Sequence, residues 1–252
     1  AGIIPLTSCT GGFAEYAVVP AHFLVHATPK ASALTLGASI LPMSIWYYML
    51  TYKLHVTEGS TVLFPHAAID GVHLGLQIAA LKGAKVIAVV EGEQEVQLLQ
   101  QLDVEVDIVD TRVDPLVDTV LQLTDGLGVD CVCWWSWLQG DTLGCRDLLR
   151  VLTIDGKLAV NVPQHIGPAE QQLMAYKGLS LTYFALHAWL GDPIRQGRWL
   201  HVMSEVVRLV HEGLVRPHMH DTFELHRLRD AISCIEKHAN LGLVAVVPPG
   251  PG

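Results

Sequence analysis

The stretch 61–90, TVLFPHAAIDGVHLGLQIAALKGAKVIAVV, constrains the fold more than any other part of the chain. Val62, Leu63 and Phe64 form a short apolar run. Val72, Gly75, Leu76, Ala79 and Ala80 then recur at helical spacing, Gly83 ends the helix, and Lys85 to Val90 opens a second apolar strand. This is a β-α-β unit of roughly 30 residues. Such a unit binds a nucleotide when glycines let its first turn pass close under a pyrophosphate and the helix start offers amide donors and a favourable dipole. Here the turn reads His66-Ala67-Ala68-Ile69-Asp70-Gly71-Val72, so the architecture is present while most of the glycines are not.

The rest of the chain extends the same alternation. From Ser32 to Tyr52 the apolar residues Leu34, Ala38, Leu41, Ile45, Met49 and Tyr52 follow a helical period, with Pro42 expected to kink or divide the run. The acidic segment Glu91 to Glu95 leads into a helix through Leu99 and Leu102. Strands are predicted at Val106–Val109, Cys131–Trp134, Lys157–Val162 and Leu179–Leu186, and helices at Pro115–Leu123 and Leu143–Leu152. Short alternating strands and helices imply a doubly wound parallel sheet. The two ends differ: Gly11 to Pro20 reads as a glycine turn feeding an alternating strand. After an amphipathic helix at Trp199–Leu214, a strand near Phe223, a helix at Leu228–His238 and a strand at Leu243–Val247 close the chain. The ends read as two segments of one split domain with the parallel sheet inserted between them.

Composition narrows the function classes. The 252 residues, half of them apolar and 16% charged, can bury a sizeable core and lie far from the disordered class. A formal charge of −9, with no block of basic residues, would repel a phosphate backbone, so no nucleic-acid partner is expected. Apolar runs are broken by Pro, His or Asp short of the roughly 20 residues a membrane span needs, and no basic region leads into an apolar segment at the N-terminus. The five cysteines, Cys9, Cys131, Cys133, Cys145 and Cys234, contain no CxxC pair. Reduced thiols in a cytoplasmic or organelle-matrix setting are expected, with Cys131 and Cys133 on one face of a buried strand. Ala1-Gly2-Ile3-Ile4 reads as the middle of a strand, so the natural chain is expected to extend upstream, or another chain to cover the edge left open.

Five stretches in order carry a family resemblance: Gly11-Gly12-Phe13-Ala14-Glu15-Tyr16, Val56 to Leu63 with Gly59-Ser60, Gln77 to Ile87 with Lys82-Gly83-Ala84-Lys85, Gly126 to Asp130, and Glu212 to Pro217. Together they resemble the medium-chain dehydrogenase/reductase superfamily, and within it the zinc-free quinone oxidoreductase branch with its zeta-crystallin-like group. The resemblance covers nearly the whole chain. It implies a Rossmann-like doubly wound sheet over 32–190, inserted in a partial GroES-like β domain of which 1–31 is a remnant and 191–252 the return. The first roughly 80 to 100 residues of such a domain would precede Ala1. In the family those residues hold several cofactor and substrate contacts, and in the zinc-dependent branch the metal ligands. No catalytic residue is therefore assigned and no zinc is expected.

Departures from the family pattern gather at the cofactor. The phosphate-turn glycines align with His66, Ile69, Asp70 and Val72, leaving Gly71 displaced by one position. His66, Ala67, Ala68, Ile69, Asp70, Gly71 and Val72 thus mark a degenerate cofactor-binding turn. A threonine near the nicotinamide aligns with Ile45. Glu91, Glu93 and Glu95 stand where basic or hydroxyl residues meet a 2′-phosphate, Trp134 (followed by Trp135 and Trp137) replaces an acid or small residue, and Leu243 replaces the lysine of a terminal Gly-Lys pair. His66 reads as a histidine packed in a vacated turn rather than a general base. Asp70 reads as a first-turn acid rather than a ribose ligand, and the tryptophans as filling a former cleft. Glu91 is the position at which an acid favours the ribose hydroxyls of NADH, and that role stays open. His218-x-His220-Asp221 lacks a third spaced ligand and reads as a solvated turn.

Two functions follow from these residues. One is a non-catalytic relative kept as a structural or interaction protein, alone or inside a larger assembly; the other is an active reductase of quinone, enone or enoyl substrates using NADPH or NADH. In the family an edge strand joins two subunits, so Leu179–Leu186, LSLTYFAL, is expected to pair with a second copy or a protein partner.

Overall fold

A computed structural model describes residues 12–27, 32–135, 143–184, 192–237 and 240–248. Six short apolar segments, β1 (Thr61–Phe64), β2 (Lys85–Val90), β3 (Asp107–Asp110), β4 (Val129–Trp134), β5 (Leu152–Val160) and β6 (Ser180–Tyr183), form a parallel sheet in the order β3-β2-β1-β4-β5-β6. Val62 of β1 pairs with Val86 on one side and Cys131 on the other. Successive strand side chains point to opposite faces. Leu63, Ile87, Val89 and Val132 are buried on one face, while Val62, Phe64, Val86 and Ala88 are buried on the other. The first set packs against α4 (Leu116–Leu123) and α5 (Cys145–Arg150) through Val117, Val120, Leu148 and Leu149. Burial of both parities is why these strands read as continuous apolar runs, and it gives the doubly wound α/β fold expected from the sequence.

The chain divides into two compact units. The sheet lies in the unit made of Met49–Ala68 and Leu76–Phe184, with α3 (Glu93–Gln101) and α6 (Pro168–Lys177). The other unit is built from the described residues of Ala1–Tyr48, Ile69–Gly75 and Ala185–Gly252. It holds α1 (Ala33–Tyr48), the start of α2 (Val72–Leu81), α7 (Gln196–His211), β7 (Met219–Glu224), α8 (Leu228–Glu236) and β8 (Leu243–Val247). There α1 packs on α7 and β8, and β7 pairs in parallel with β8, Phe223 opposite Val246.

Four expectations change. Pro42 does not divide its helix: α1 runs unbroken to Tyr48 and widens into a π-helical turn at Met49–Lys53, where the Leu54 amide reaches back to Met49 O at 2.9 Å. Ala33–Lys53 is consequently long and apolar enough to cross a membrane by length and composition, against the reading that every apolar run stops short; more than half of its apolar window is buried in the protein, as in a core helix. The strand expected through Tyr16 and Val18 is absent among the described residues, and these side chains are 90% and 82% exposed. A lone extended segment with no ladder partner gains neither hydrogen bonds nor burial. His220 and Asp221 lie within β7 rather than in a turn.

Candidate cofactor turn

From β1 the chain passes through Pro65 into the turn His66–Gly71 before α2 starts at Val72. Three residues take left-handed backbone: His66 at φ 53°, Asp70 at φ 47° and Gly71 at φ 79°. His and Asp tolerate that region and β-branched residues resist it; Ile69 and Val72 are not among the positive-φ residues. The turn therefore closes without the glycine spacing of a nucleotide fingerprint, using the residue types that can bend there.

Two of its amides, and one in the first turn of α2, are bonded to the chain's own carbonyls. Ala67 N donates to Val89 O at 3.0 Å, Val72 N to Ile69 O at 2.9 Å and Leu74 N to Gly71 O at 3.1 Å. Ala67, Ala68, Gly71 and Val72 are buried, and His66, Ile69 and Asp70 are half-buried. Trp46 of α1 donates from Nε1 to Gly71 O at 3.1 Å, and its indole lies so close to α2 that a Cβ at Gly75 would fall 2.6 Å from Trp46 Cδ2. A Cβ at Gly71 would meet Leu243 Cδ2 at 3.0 Å and Pro42 Cβ at 3.3 Å. The Asp70 carboxylate accepts from Asn240 Nδ2 at 2.9 Å, a pairing across the sequence rather than a helix cap. Trp46 and Asn240 were not identified as site residues from the sequence, because nothing local ties residues 25 and 170 positions away to this turn.

Next to Asn240 lies a group of histidines. His73, fully buried in the first turn of α2, accepts at Nε2 from the His218 amide at 3.1 Å, and the two rings meet edge to face at 6.4 Å. Burial pushes the His73 imidazole down to about 3, with the nearby His218 adding to the effect. His218 is itself lowered by partial burial and then by His220. His220 Nδ1 accepts from Leu241 N at 3.3 Å. Among the described residues no group of three or more His, Cys, Asp or Glu is placed to hold a metal ion.

The end of β2 is of opposite character. Glu91 and Glu93 are exposed, and the Glu91 amide donates to Glu95 Oε2 at 3.2 Å. Burial raises the Glu95 carboxyl; that amide bond and His66 oppose the rise, while Glu91 and Asp110 add to it. Into this acidic corner comes Arg112, which sequence reading passed over. It is bidentate to Asp110, Nε to Oδ1 at 3.3 Å and Nη2 to Oδ2 at 3.2 Å, and its Cζ lies 2.8 Å from where a Gly92 Cβ would be. Gly92, at φ 145°, is what admits the guanidinium. The available signal was Asp110-Thr111-Arg112 directly after β3.

Trp134 ends β4 at 4% exposure, within the core cluster that includes Leu63, Ile87, Leu148 and Val160. Cys131 and Cys133 are buried, and burial raises both thiols, Cys131 to about 11. Trp137 and Cys9 lie outside the described residues.

No protein-family model matches the chain. Quinone oxidoreductase-like protein 1 of Mus musculus is 23% identical over 253 residues, spanning 94% of this chain and 72% of the mouse protein. Prostaglandin reductase 1 of Mus musculus is 27% identical over 222 residues, 85% of this chain and 64% of its own length. The crystal structure of a quinone oxidoreductase from Pseudomonas syringae pv. Tomato DC3000 shares the fold with a TM-score of 0.81 at 20% identity, covering 94% of this chain and 72% of that one. With these relatives aligned along most of its length and the β3-β2-β1-β4-β5-β6 sheet in place, the chain is similar to the zinc-free quinone oxidoreductases of the medium-chain dehydrogenase/reductase superfamily and shares their fold.

Proposed function

We propose that this chain is a quinone oxidoreductase-like protein whose NAD(P)H site is degenerate, acting as a structural or interaction protein. The observation that carries the reading is the closed phosphate turn. Its Ala67 and Val72 amides are spent on the chain's own carbonyls, and Gly71 is packed under Leu243 and Pro42. A diphosphate needs outward amides and backbone it can approach, so the residues present do not fit it. Each missing contact costs roughly 1 to 3 kcal/mol, and three such losses move a micromolar constant to about millimolar. The acids Glu91, Glu93 and Glu95 further oppose a 2′-phosphate.

A second reading is an active NAD(P)H-dependent reductase of a quinone, enone or enoyl substrate. Arg112 favours it, since this cation stands at the acidic corner. Thermal unfolding with millimolar NADPH or NADH separates the two. A ligand at about 100 times its dissociation constant adds roughly 3 kcal/mol. We expect no shift with either cofactor; a rise of several degrees would restore the reductase.

For assembly, β6 is the last strand of the sheet, with Tyr183 half-exposed, and Ala185 and Leu186 lie outside the described residues. The proposal is a second copy or a protein partner hydrogen-bonded along Ser180–Tyr183. Light scattering that gives a strict monomer, with these amides exchanging freely, contradicts it. We further propose that 1–31 and 191–252 are parts of one GroES-like domain around a Rossmann-like 32–190, and that the protein works in the cytoplasm or an organelle matrix.

A further inference from the structure

We propose that Asn240–Leu243 is a latch seated on the cofactor turn, one that opens locally while the rest of its unit stays folded. The inference rests on the degenerate-site reading and names what holds that site shut. Asn240, 1% exposed, uses both hydrogens of its amide: one goes to Asp70 Oδ1 at 2.9 Å and the other to Gly242 O at 3.1 Å. Leu243 then places Cδ2 against Gly71. Two further contacts seat the segment at the start of β7: Leu241 N donates to His220 Nδ1 at 3.3 Å, and Leu243 N to His218 O, just before the strand, at 2.9 Å. Gly242, at φ 88°, lets it pass, because a Cβ there would lie 2.6 Å from His218 O. Asp70 and Leu243 are both departures from the family pattern, so the closure is a property of this chain's own residues.

The latch is poised rather than locked. Asn240 Oδ1 is buried with no hydrogen-bond partner among the described residues, so opening returns this acceptor to water and offsets the donated bonds that are lost. What favours closure is the charge-assisted bond to Asp70 and the apolar contact at Gly71. A segment balanced in this way belongs to the low-stability end of native-state opening.

Hydrogen exchange on the full chain tests this. Asn240→Asp sets a second carboxylate beside Asp70, and we expect exchange over Gly71–Leu74 and His218–His220 to rise about tenfold or more while β1, β2, β4 and β5 keep wild-type protection. Asp70→Asn keeps the acceptor but removes the charge, and should give a smaller rise confined to the same segments. The result that overturns the latch is unchanged exchange over Gly71–Leu74 in both variants, or a rise spread evenly over the chain as global destabilisation gives. Should Asn240→Asp not fold, Asp70→Asn alone decides in the same way. Titration of the wild-type protein with NADPH tests the underlying reading separately: tight binding removes that reading whatever the exchange pattern, and the exchange pattern removes the latch whatever the titration.

Discussion

The two places where a dinucleotide would be gripped are built on opposite principles. The turn at His66–Val72 is largely buried, with Gly71 O and the Asp70 carboxylate paired to Trp46 and Asn240. The corner at Glu91–Arg112 is charged and largely open to water. The difference teaches where this protein has committed itself. In a packed region a substituted atom meets neighbours that cannot move, whereas exposed charges are screened and rearrange at little cost. On the proposed reading, departures at the turn close the site, while those at the corner only bias it.

Substitutions can break that comparison. Trp46→Ala should be the most damaging, since it removes a 3% exposed indole and its bond to Gly71 O; a loss of about 3 to 5 kcal/mol is expected in urea unfolding. A loss below 1 kcal/mol would mean that the turn is not held from this side. Acid should act through the same region with a comparable effect. His73 titrates at about 3 in the folded protein against 6.5 ordinarily, so between those values the unfolded chain holds more protons than the folded one. The stability from the neutral ring is complete above pH 6.5 and is lost as pH falls toward 3, on the order of 5 kcal/mol in all. His218 is shifted the same way and adds to the slope. A flat stability profile from pH 7 to 4 would contradict the burial of His73.

Gly75→Ala should cost less, about 1 to 3 kcal/mol, because a methyl 2.6 Å from the indole forces the ring to shift. At the charged corner Arg112→Ala should change the urea midpoint little, the guanidinium being 56% exposed in its pair with the half-buried Asp110. A large destabilisation there would erase the contrast. Slow alkylation sharpens it further: Cys131 and Cys133 should react only on unfolding, since burial both raises their thiols and hides them.

The sheet was legible in the sequence and the contacts at the turn were not, for one reason. Val62 to Phe64 and Val86 to Val90 are buried on both faces, so they announce themselves as unbroken apolar runs, and Gly83 marks the end of the helix between them. In contrast, α6 has no buried residue and so no apolar stripe to read, although Pro168 at its start and left-handed Gly178 at its end are ordinary boundary signals. The alternating Tyr16 and Val18 mimic a strand that has no partner among the described residues. At the turn, Ile69, Asp70 and Val72 declared that glycines were replaced, yet not what took their contacts over. Asn240 reaches Asp70 from 170 residues away, and His220 looked like a turn residue until β7 paired with β8. Long-range polar pairs leave no periodicity.

Calorimetric titration of NADPH into the full protein near neutral pH tests the central claim most directly. The account predicts no saturable heat below millimolar cofactor, and NADH binding no more weakly than NADPH because it carries no 2′-phosphate to meet Glu91, Glu93 and Glu95. A micromolar or tighter NADPH dissociation constant would contradict it.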